Sequence, residues 1–292
     1  MTIRHLRIFA HLCGTLNMTQ SAKALNMTQP SISQVVQELE EHYRTRLFER
    51  VSHRLVLNAA GRLLLGQAQQ ILSMLTDTER RLEEASSKKT LRIGASATVG
   101  SYLLPRLLGR IRASGVSWQT EILVDNTAHI EERLLASELD MAIVEGETKG
   151  RALFSEILCE DRLALVGHPE ILPTKCGVKE LGTLPFLMRE KGSGTAEQSL
   201  QSLEYAGVRP KIIGYVNSID AIHRLVLARA GLAFLPWIAV QKDIQSGKLR
   251  EIRVRGLRLS RNFRLVRLAN WSGELEARPI LDVIRKEAAN PS

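Results

Sequence analysis

The sequence predicts an α/β protein in three parts: a small helical N-terminal domain with a two-stranded wing, a long linker helix, and a C-terminal two-lobed α/β domain. Three patterns predict it. A proline follows a capped helix start near residue 30, apolar residues recur at heptad spacing from Leu64 to Leu82, and strands alternate with helices from Leu91 onward. The predicted domain boundaries are 1–58, 59–89 and 90–292.

Composition limits the class of protein. A chain of 292 residues with 44% apolar content can bury two or three hydrophobic cores. Its formal net charge of +9 is compatible with a polyanionic partner. Cys13, Cys159 and Cys176 are far apart and form no CxxC pattern, so we expect reduced thiols in a cytoplasm and no metal site. Neither a signal peptide nor a membrane-spanning apolar run is predicted, so we expect no membrane partner.

The stretch TQPSISQVVQELE, residues 28–40, carries the start signals of a helix. Thr28 is a good N-cap, and Pro30 falls in the first turn, where its missing N–H costs nothing. A short preceding helix, with Thr19 as its expected cap, completes a pair. Two short helices and an exposed polar helix start are typical of a helix-turn-helix that inserts its second helix into the DNA major groove. The alternative is a capped surface helix that contacts nothing.

Arginines follow this helix at short spacing, while apolar residues between them alternate toward a core. That pattern predicts a two-stranded wing whose arginines lie over a phosphate backbone, and it favours the DNA-binding interpretation. The predicted DNA-binding residues are Thr28, Gln29, Pro30, Ser31, Ser33, Gln34, Arg50 and Arg54.

The linker sequence has a regular apolar repeat. Its steps of four and three residues predict a heptad seam and self-association through this helix. The alternative is a helix packed on its own domain. The segment SSKKT, residues 86–90, is predicted to be a hinge. The predicted seam consists of Leu64, Ala68, Ile71, Leu75, Thr78 and Leu82.

From Leu91 the alternation of strands and helices predicts a parallel sheet covered on both faces. A second set of strands begins near Leu163, which predicts two lobes joined by two crossings and separated by a cleft. Lobe 1 is predicted at about 90–162 and 268–292, and lobe 2 at about 163–267.

Small polar residues follow several strands, where ligands of α/β sheets bind. Thr195 is expected to cap a helix, with Gln198 closing a capping box. Arg189 and the glycines favour an anionic ligand, whereas Glu145 would repel an anion or select an amine. Tight turns and plain helix capping are the alternatives. The predicted effector-binding residues are Ser96, Thr98, Glu145, Arg189, Ser193, Gly194, Thr195, Asn217 and Ser218.

The chain resembles the LysR-type transcriptional regulators through AKALNMTQPSISQVVQELE at 22–40, LFER at 47–50, the arginine-bearing wing and LNAAG at 57–61. The resemblance implies a winged helix-turn-helix, a dimerising linker helix and an effector-binding domain of periplasmic-binding-protein type. It also implies that Ser96, Thr98 and the loop from Gly192 to Thr195 line the effector cleft. The expected partners are double-stranded DNA, further copies of the chain as a dimer or tetramer, a small-molecule effector and RNA polymerase.

Within that family, REKGSGT and ASATVGSYLLP look like the branch of cysteine-biosynthesis and carbon-fixation operon regulators. Three positions depart from the family pattern. Gln34 and Gln37 stand where basic residues are frequent, which leaves the operator sequence open, and Asn58 replaces the usual threonine cap.

Two other classes of protein compete with a regulator. A two-lobed solute-binding protein is disfavoured by the N-terminal extension and the missing signal peptide. An enzyme is disfavoured because no GxxxxGK[ST], GxSxG or strand-linked GxGxxG occurs, and His129, His168 and His223 fit no nucleophile–base pattern. We therefore expect a non-enzymatic DNA-binding regulator without a cofactor, with a small anionic metabolite as its effector.

Overall fold

The structure is a computed structural model that describes residues 1–51, 54–84, 90–116, 118–148, 150, 152–173, 176–254, 256–257 and 259–288. The chain forms two compact units. The first comprises Met1–Ser87 with Leu135–Ser137, and the second comprises Lys88–Leu134 with Glu138–Ser292. The predicted hinge at 86–90 lies, except for its last residue, outside the described residues.

Side-chain caps set the starts of the first three helices. Thr2 and Thr28 cap the first and third, and Pro30 lies in the first turn of the third, as predicted. Asn17, not Thr19, caps the second, because its side-chain oxygen accepts two backbone N–H groups at 3.0 Å and Thr19 is already helical. The elements of this unit are α1 (Ile3–Thr15), α2 (Met18–Ala24), α3 (Gln29–Tyr43), β1 (Phe48–Val51), β2 (Arg54–Leu57) and α4 (Ala59–Glu84).

The wing is an antiparallel pair in which Phe48 of β1 lies opposite Leu57 of β2. Phe48 packs edge-on against Phe9 of α1 with ring centroids 5.6 Å apart, so the wing shares one core with the helices. Asn58 joins the wing to α4, since its side chain accepts from the Gly61 N–H at 2.8 Å and donates to the Arg46 carbonyl at 2.8 Å. The winged helix-turn-helix prediction is confirmed.

The linker helix α4 uses part of its apolar surface for its own domain. Ala68 is fully buried in the N-terminal core, and Leu64 packs partly against the same core. The prediction that Ala68 faces a second copy is therefore wrong, because its own domain already covers it, whereas Leu64 stays partly exposed and its place in the seam remains a prediction. The large apolar residues that α4 leaves exposed are Leu63, Ile71, Met74 and Leu82.

The remaining elements build the C-terminal α/β part, with a π-helical turn over Val99–Leu103 and a 3₁₀ turn over Pro169–Ile171. In chain order they are β3 (Thr90–Ser96), α5 (Leu104–Ala113), β4 (Gln119–Asp125), α6 (Thr127–Leu135), β5 (Met141–Glu145), β6 (Leu153–Gly167), α7 (Val178–Thr183), β7 (Pro185–Arg189), α8 (Gly194–Tyr205), β8 (Lys211–Val216), α9 (Ile219–Leu227), β9 (Ala233–Pro236), α10 (Trp237–Gln245), β10 (Arg250–Glu251), β11 (Ser260–Leu268) and α11 (Glu274–Ala288).

The first lobe contains a mixed sheet with strand order β6-β11-β5-β3-β4. Its β3 runs parallel to β4 and β5, as predicted, but β11 is antiparallel to both of its neighbours. The all-parallel prediction is therefore wrong for this half of the sheet. Buried residues at every position of β5 show that both faces are covered.

The long strand β6 passes through both lobes. Its first part pairs with β11, and its end pairs with β9 and β10 of the second lobe, where β7 also runs parallel to β8. Because Phe263–Val266 of β11 pair with β5, these residues belong to the first sheet. The predicted range of lobe 2, 163–267, therefore extends too far, since the arginine-rich sequence gave no sign of which sheet it joins. Within the described ranges, no helix combines the length and apolar character that a membrane crossing requires.

Candidate DNA-binding face and effector cleft

The start of α3 presents small polar groups to solvent. The Thr28 hydroxyl accepts from the Ser31 N–H at 3.4 Å and shares a 2.8 Å hydrogen bond with the Ser31 hydroxyl. Gln29, Pro30 and Ser33 are exposed, and the first turn contains no acidic residue. The positive end of the helix dipole is therefore open to an anionic or polar surface.

Two glutamines farther along α3 are held by acidic residues of the same helix. Gln34 donates to Glu38 at 2.9 Å, and Gln37 donates to Glu41 at 2.8 Å. Each side chain is thereby oriented while its carbonyl oxygen keeps its acceptor capacity. A base contact by the predicted Gln34 would have to compete with this bond.

A groove of about 920 Å³ separates α3 from the wing. Arg44, Arg46 and Arg50 line it, together with Ser33 and Gln37 of α3. Arg44 and Arg46 were not among the predicted DNA-binding residues, although they belong to the arginines that follow the helix at short spacing. The side chain of the predicted Arg54, at the start of β2, lies outside the part of the structure that is described.

In the second unit, five side chains meet in the cleft between the lobes. The Glu145 carboxylate ends β5 and is 2% exposed. It accepts from the Thr98 N–H at 3.0 Å, the Thr195 hydroxyl at 3.0 Å and the Arg261 guanidinium at 2.8 Å. Arg261 also donates to Asp161 at 2.7 Å. The structure thus brings together three predicted residues and two that the sequence analysis missed.

Arg261 is the centre of this cluster, with a side chain that is completely buried. Besides the two carboxylates, it donates to the hydroxyls of Thr195 at 2.7 Å and Thr98 at 3.2 Å. It lies in an arginine-rich stretch where no motif distinguished it from its neighbours. Asp161 likewise had no sequence signal, because it lies within the continuous strand β6.

The two carboxylates respond differently to this environment. Burial by itself raises the pKa of Glu145, but Arg261 and the hydrogen bonds from Thr98 and Thr195 outweigh it and hold the pKa below its ordinary value. Burial raises the pKa of Asp161, and nearby Glu145 raises it further, against the lowering effect of Arg261. Glu145 is therefore the firmly ionised member of the pair.

The start of α8 differs from the prediction. The N-cap is Ser193, which makes no side-chain cap, and Thr195 lies inside the helix with its hydroxyl turned to Glu145. Gln198 closes no capping box, since its amide donates to the Ser260 carbonyl at 3.4 Å. The polar contact available across the cleft outcompetes the local cap for the Thr195 hydroxyl.

Three of the other predicted effector residues, Arg189, Asn217 and Ser218, make their hydrogen bonds outside the five-residue cluster. Arg189 is buried and engaged by Glu190 at 2.9 Å and by the Asn217 carbonyl at 3.3 Å. Ser218 caps α9 through a bond from the Ala221 N–H at 3.2 Å. The Ser96 hydroxyl is buried and has no hydrogen-bond partner among the described residues. Arg189 is thus occupied by neighbours of its own lobe.

A cavity of about 380 Å³ adjoins the cluster. Gly192 and Gly194 line it from the second lobe, and the Gly192 carbonyl accepts from the Ala128 N–H of the first lobe at 3.2 Å. Among the residues that the structure describes, its wall contains no lysine, arginine or histidine and four glutamates: Glu131, Glu145, Glu147 and Glu197.

These features define a winged helix-turn-helix DNA-binding protein with a separate two-lobed ligand-binding domain. Residues 3–62 match the model of the bacterial regulatory helix-turn-helix proteins of the lysR family, and residues 84–289 match the LysR substrate binding domain. The chain therefore belongs to the LysR family of transcriptional regulators, as its sequence motifs predicted.

Known proteins resemble the chain over nearly its whole length. A probable RuBisCO transcriptional regulator of Trichormus variabilis is 32% identical over 276 residues, which cover 91% of this chain and 82% of that protein. CysL, an HTH-type transcriptional regulator of Bacillus subtilis, is 26% identical over 263 residues, 88% of each chain. These relatives agree with the predicted branch. The structure of full-length CbnR complexed with its target DNA aligns with a TM-score of 0.55 at 22% identity, covering 98% of this chain and 99% of that one.

Proposed function

We propose that this LysR-type regulator reads operator DNA through the first turn of α3 and the wing, acts as a homo-oligomer in the cytoplasm, and responds to a small metabolite bound between its lobes. It performs no catalysis on that metabolite. The observation that carries the proposal is the start of α3, where Thr28 caps a helix whose exposed polar turn borders an arginine-lined groove. That combination provides both base-reading groups and phosphate contacts.

Gln29 and Ser33 are the proposed base readers. They are four residues apart, so they lie on one face of α3, and both are exposed. Glutamine pairs with adenine edges, and serine reaches either bases or phosphates. Arg50 and Arg54 are the proposed phosphate contacts, while Thr28, Pro30 and Ser31 hold the helix start in place.

The test is competitive gel-shift binding to the DNA upstream of the gene and of its divergent neighbour, with random DNA as competitor. Gln29→Ala should reduce the preference for specific over random DNA by about 1–3 kcal/mol, the worth of one bidentate base contact. Gln245→Ala is the matched control, because this exposed glutamine lies on α10 of the other unit. Equal loss of binding to both DNAs would refute Gln29 as a base reader.

For self-association we propose the exposed face of α4. Leu63, Ile71, Met74 and Leu82 lie on it at steps of eight, three and eight residues, which keeps them on one side of the helix. At the N-terminal end of α4 this face begins with Leu63, one residue before the predicted seam residue Leu64. The reason is that Leu64 and Ala68 pack on their own domain. A second copy would bury the four apolar side chains.

Sedimentation equilibrium tests this face. Met74→Glu should weaken association at least tenfold, since a buried unpaired carboxylate costs several kcal/mol. Leu275→Glu is the control, because Leu275 is an exposed leucine in the second unit. Unchanged association of Met74→Glu would refute α4 as the contact.

We propose a small oxyanion as the effector and the cleft as its site. The support is the chemistry of the donors that already hold a carboxylate there: a backbone N–H, a hydroxyl and a guanidinium. An amine is the second ligand class, favoured by the glutamates of the adjoining cavity. Thermal-shift screening of carboxylates, phosphates, sulfur oxyanions and amines separates the two. Sustained turnover of a ligand that binds would refute the non-enzymatic assignment.

A further inference from the structure

Three hydrogen-bond donors from distant parts of the chain converge on one buried carboxylate. Thr98 contributes a backbone N–H after β3, Thr195 a hydroxyl from α8, and Arg261 a guanidinium from β11. Their distances to the Glu145 oxygens lie between 2.8 and 3.0 Å. A donor set of this kind is what proteins use to bind free carboxylates and other small oxyanions.

We propose that these three donors form an oxyanion cradle, that Glu145 occupies it as a tethered internal ligand, and that a free small oxyanion binds in the same place when the Glu145 carboxylate is removed or displaced. The cradle is defined by the Thr98 N–H, the Thr195 hydroxyl and the Arg261 guanidinium. This proposal rests on the effector cleft of the proposed function. The test of the cradle uses no DNA, so a negative result would leave the DNA-binding assignment intact.

The occupant of the cradle also connects the two lobes. Glu145, Thr98 and Arg261 belong to strands and turns of the first sheet, whereas Thr195 lies on α8 of the second lobe. The Thr195 hydroxyl reaches across the cleft to Glu145, and the neighbouring Gly194 leaves no room for a side chain beside the Glu145 carbonyl. A carboxylate in the cradle therefore stabilises the closed arrangement of the lobes.

The charges of the cluster determine how strongly a free anion can bind. Two carboxylates, Glu145 and Asp161, face the single guanidinium of Arg261. Without Glu145, the guanidinium keeps Asp161 as its partner. The Thr98 N–H and one guanidinium N–H, however, are buried and lose the carboxylate that accepts their hydrogen bonds. Such donors favour an incoming acceptor, while Asp161 limits the affinity, so we expect binding at millimolar rather than micromolar concentration.

Glu145→Ala in the full-length protein tests the cradle by chemical rescue. The Tm should fall by roughly 10 °C, as expected when one partner of a buried ion pair is removed. Sodium acetate should restore about half of that loss, while sodium chloride at equal ionic strength should not. Thr195→Val introduced into the same variant should remove the acetate effect, because the hydroxyl is one of the three donors.

The wild type and Glu147→Ala are the controls. Glu147 is an exposed glutamate two residues farther along the same cavity wall, so its loss leaves the cradle filled. Neither control should gain stability from acetate. An acetate effect of equal size in either control, or none in Glu145→Ala, overturns the proposal.

Glu145→Gln keeps the test decisive if Glu145→Ala does not fold. The amide has the same volume as the carboxylate, but its NH₂ group must face one of the donors. The proposal expects a lower Tm than that of the wild type. An unchanged Tm would show that the carboxylate does not occupy a cradle and would overturn the proposal.

Discussion

The contact between Gly194 and Glu145 allows the closure of the cleft to be tested with a single methyl group. A Cβ atom added at Gly194 would lie 2.6 Å from the Glu145 carbonyl oxygen and 3.1 Å from the Thr127 hydroxyl oxygen. Ordinary contact begins at 3.4 Å, so α8 and the end of β5 must separate. Because the obstacle is a backbone atom, no side-chain rotation relieves the clash.

Gly194→Ala should therefore destabilise the second unit by about 1–3 kcal/mol, the usual cost of overpacking. Gly109→Ala is the matched control. Gly109 lies inside α5 of the same unit with no atom within 4 Å of an added Cβ, so the substitution should stabilise by about 0.5–1 kcal/mol. Both variants gain helix propensity, and the difference between them isolates the clash.

Differential scanning calorimetry of the full-length protein measures this difference. The two effects differ by about 1.5–4 kcal/mol, and each kcal/mol shifts a unit of this size by about 2–4 °C, so we expect the Tm of Gly194→Ala to lie roughly 3–16 °C below that of Gly109→Ala. Equal Tm values for the two variants would refute the close packing of the lobes at Gly194. Such a result would also refute the connection between an occupied cradle and the closed arrangement of the lobes.

Three further predictions follow from the two units. Ser33→Ala should lower operator discrimination by about 1–3 kcal/mol in competitive gel shifts if its hydroxyl reads a base. Arg50→Ala should weaken specific and random DNA alike and flatten the salt dependence by roughly one unit of slope, measured by binding titrations over a salt series. Asp161, whose pKa is raised, holds its proton in the folded state after the unfolded chain has released it, so it lowers stability as pH rises through that window. Asp161→Asn should abolish this loss in Tm measurements over a pH series that rises from about pH 4, the ordinary pKa of an aspartate.

Sequence reasoning was accurate where the signals are local. Thr28, Pro30 and the apolar spacing that follows them predicted α3 because a cap, a first-turn proline and a helical stripe act within a few residues of one another. The strands β3, β4 and β5 fit the predicted alternation for the same reason, since each is a short run that lies next to a helix in the chain.

Sequence-based prediction was less accurate for residues that have several possible contact partners in the fold. The apolar positions of α4 predicted a helix correctly, but not which of them the N-terminal core covers, and Ala68 and Ile71 received opposite environments. Thr195 was predicted as a cap because only its neighbours in sequence were considered. Its hydroxyl instead bonds to Glu145, which is 50 residues away in the chain.

The sequence by itself determined the helix starts, the alternation of the α/β domain and, through its motifs, the family. Only the tertiary structure decided that β11 joins the first sheet and carries Arg261 to Glu145 across 116 residues of chain. The physical reason is the range of the forces involved. Caps and periodicity act within one or two turns, whereas the pairing of a buried charge depends on which strands the whole fold places side by side.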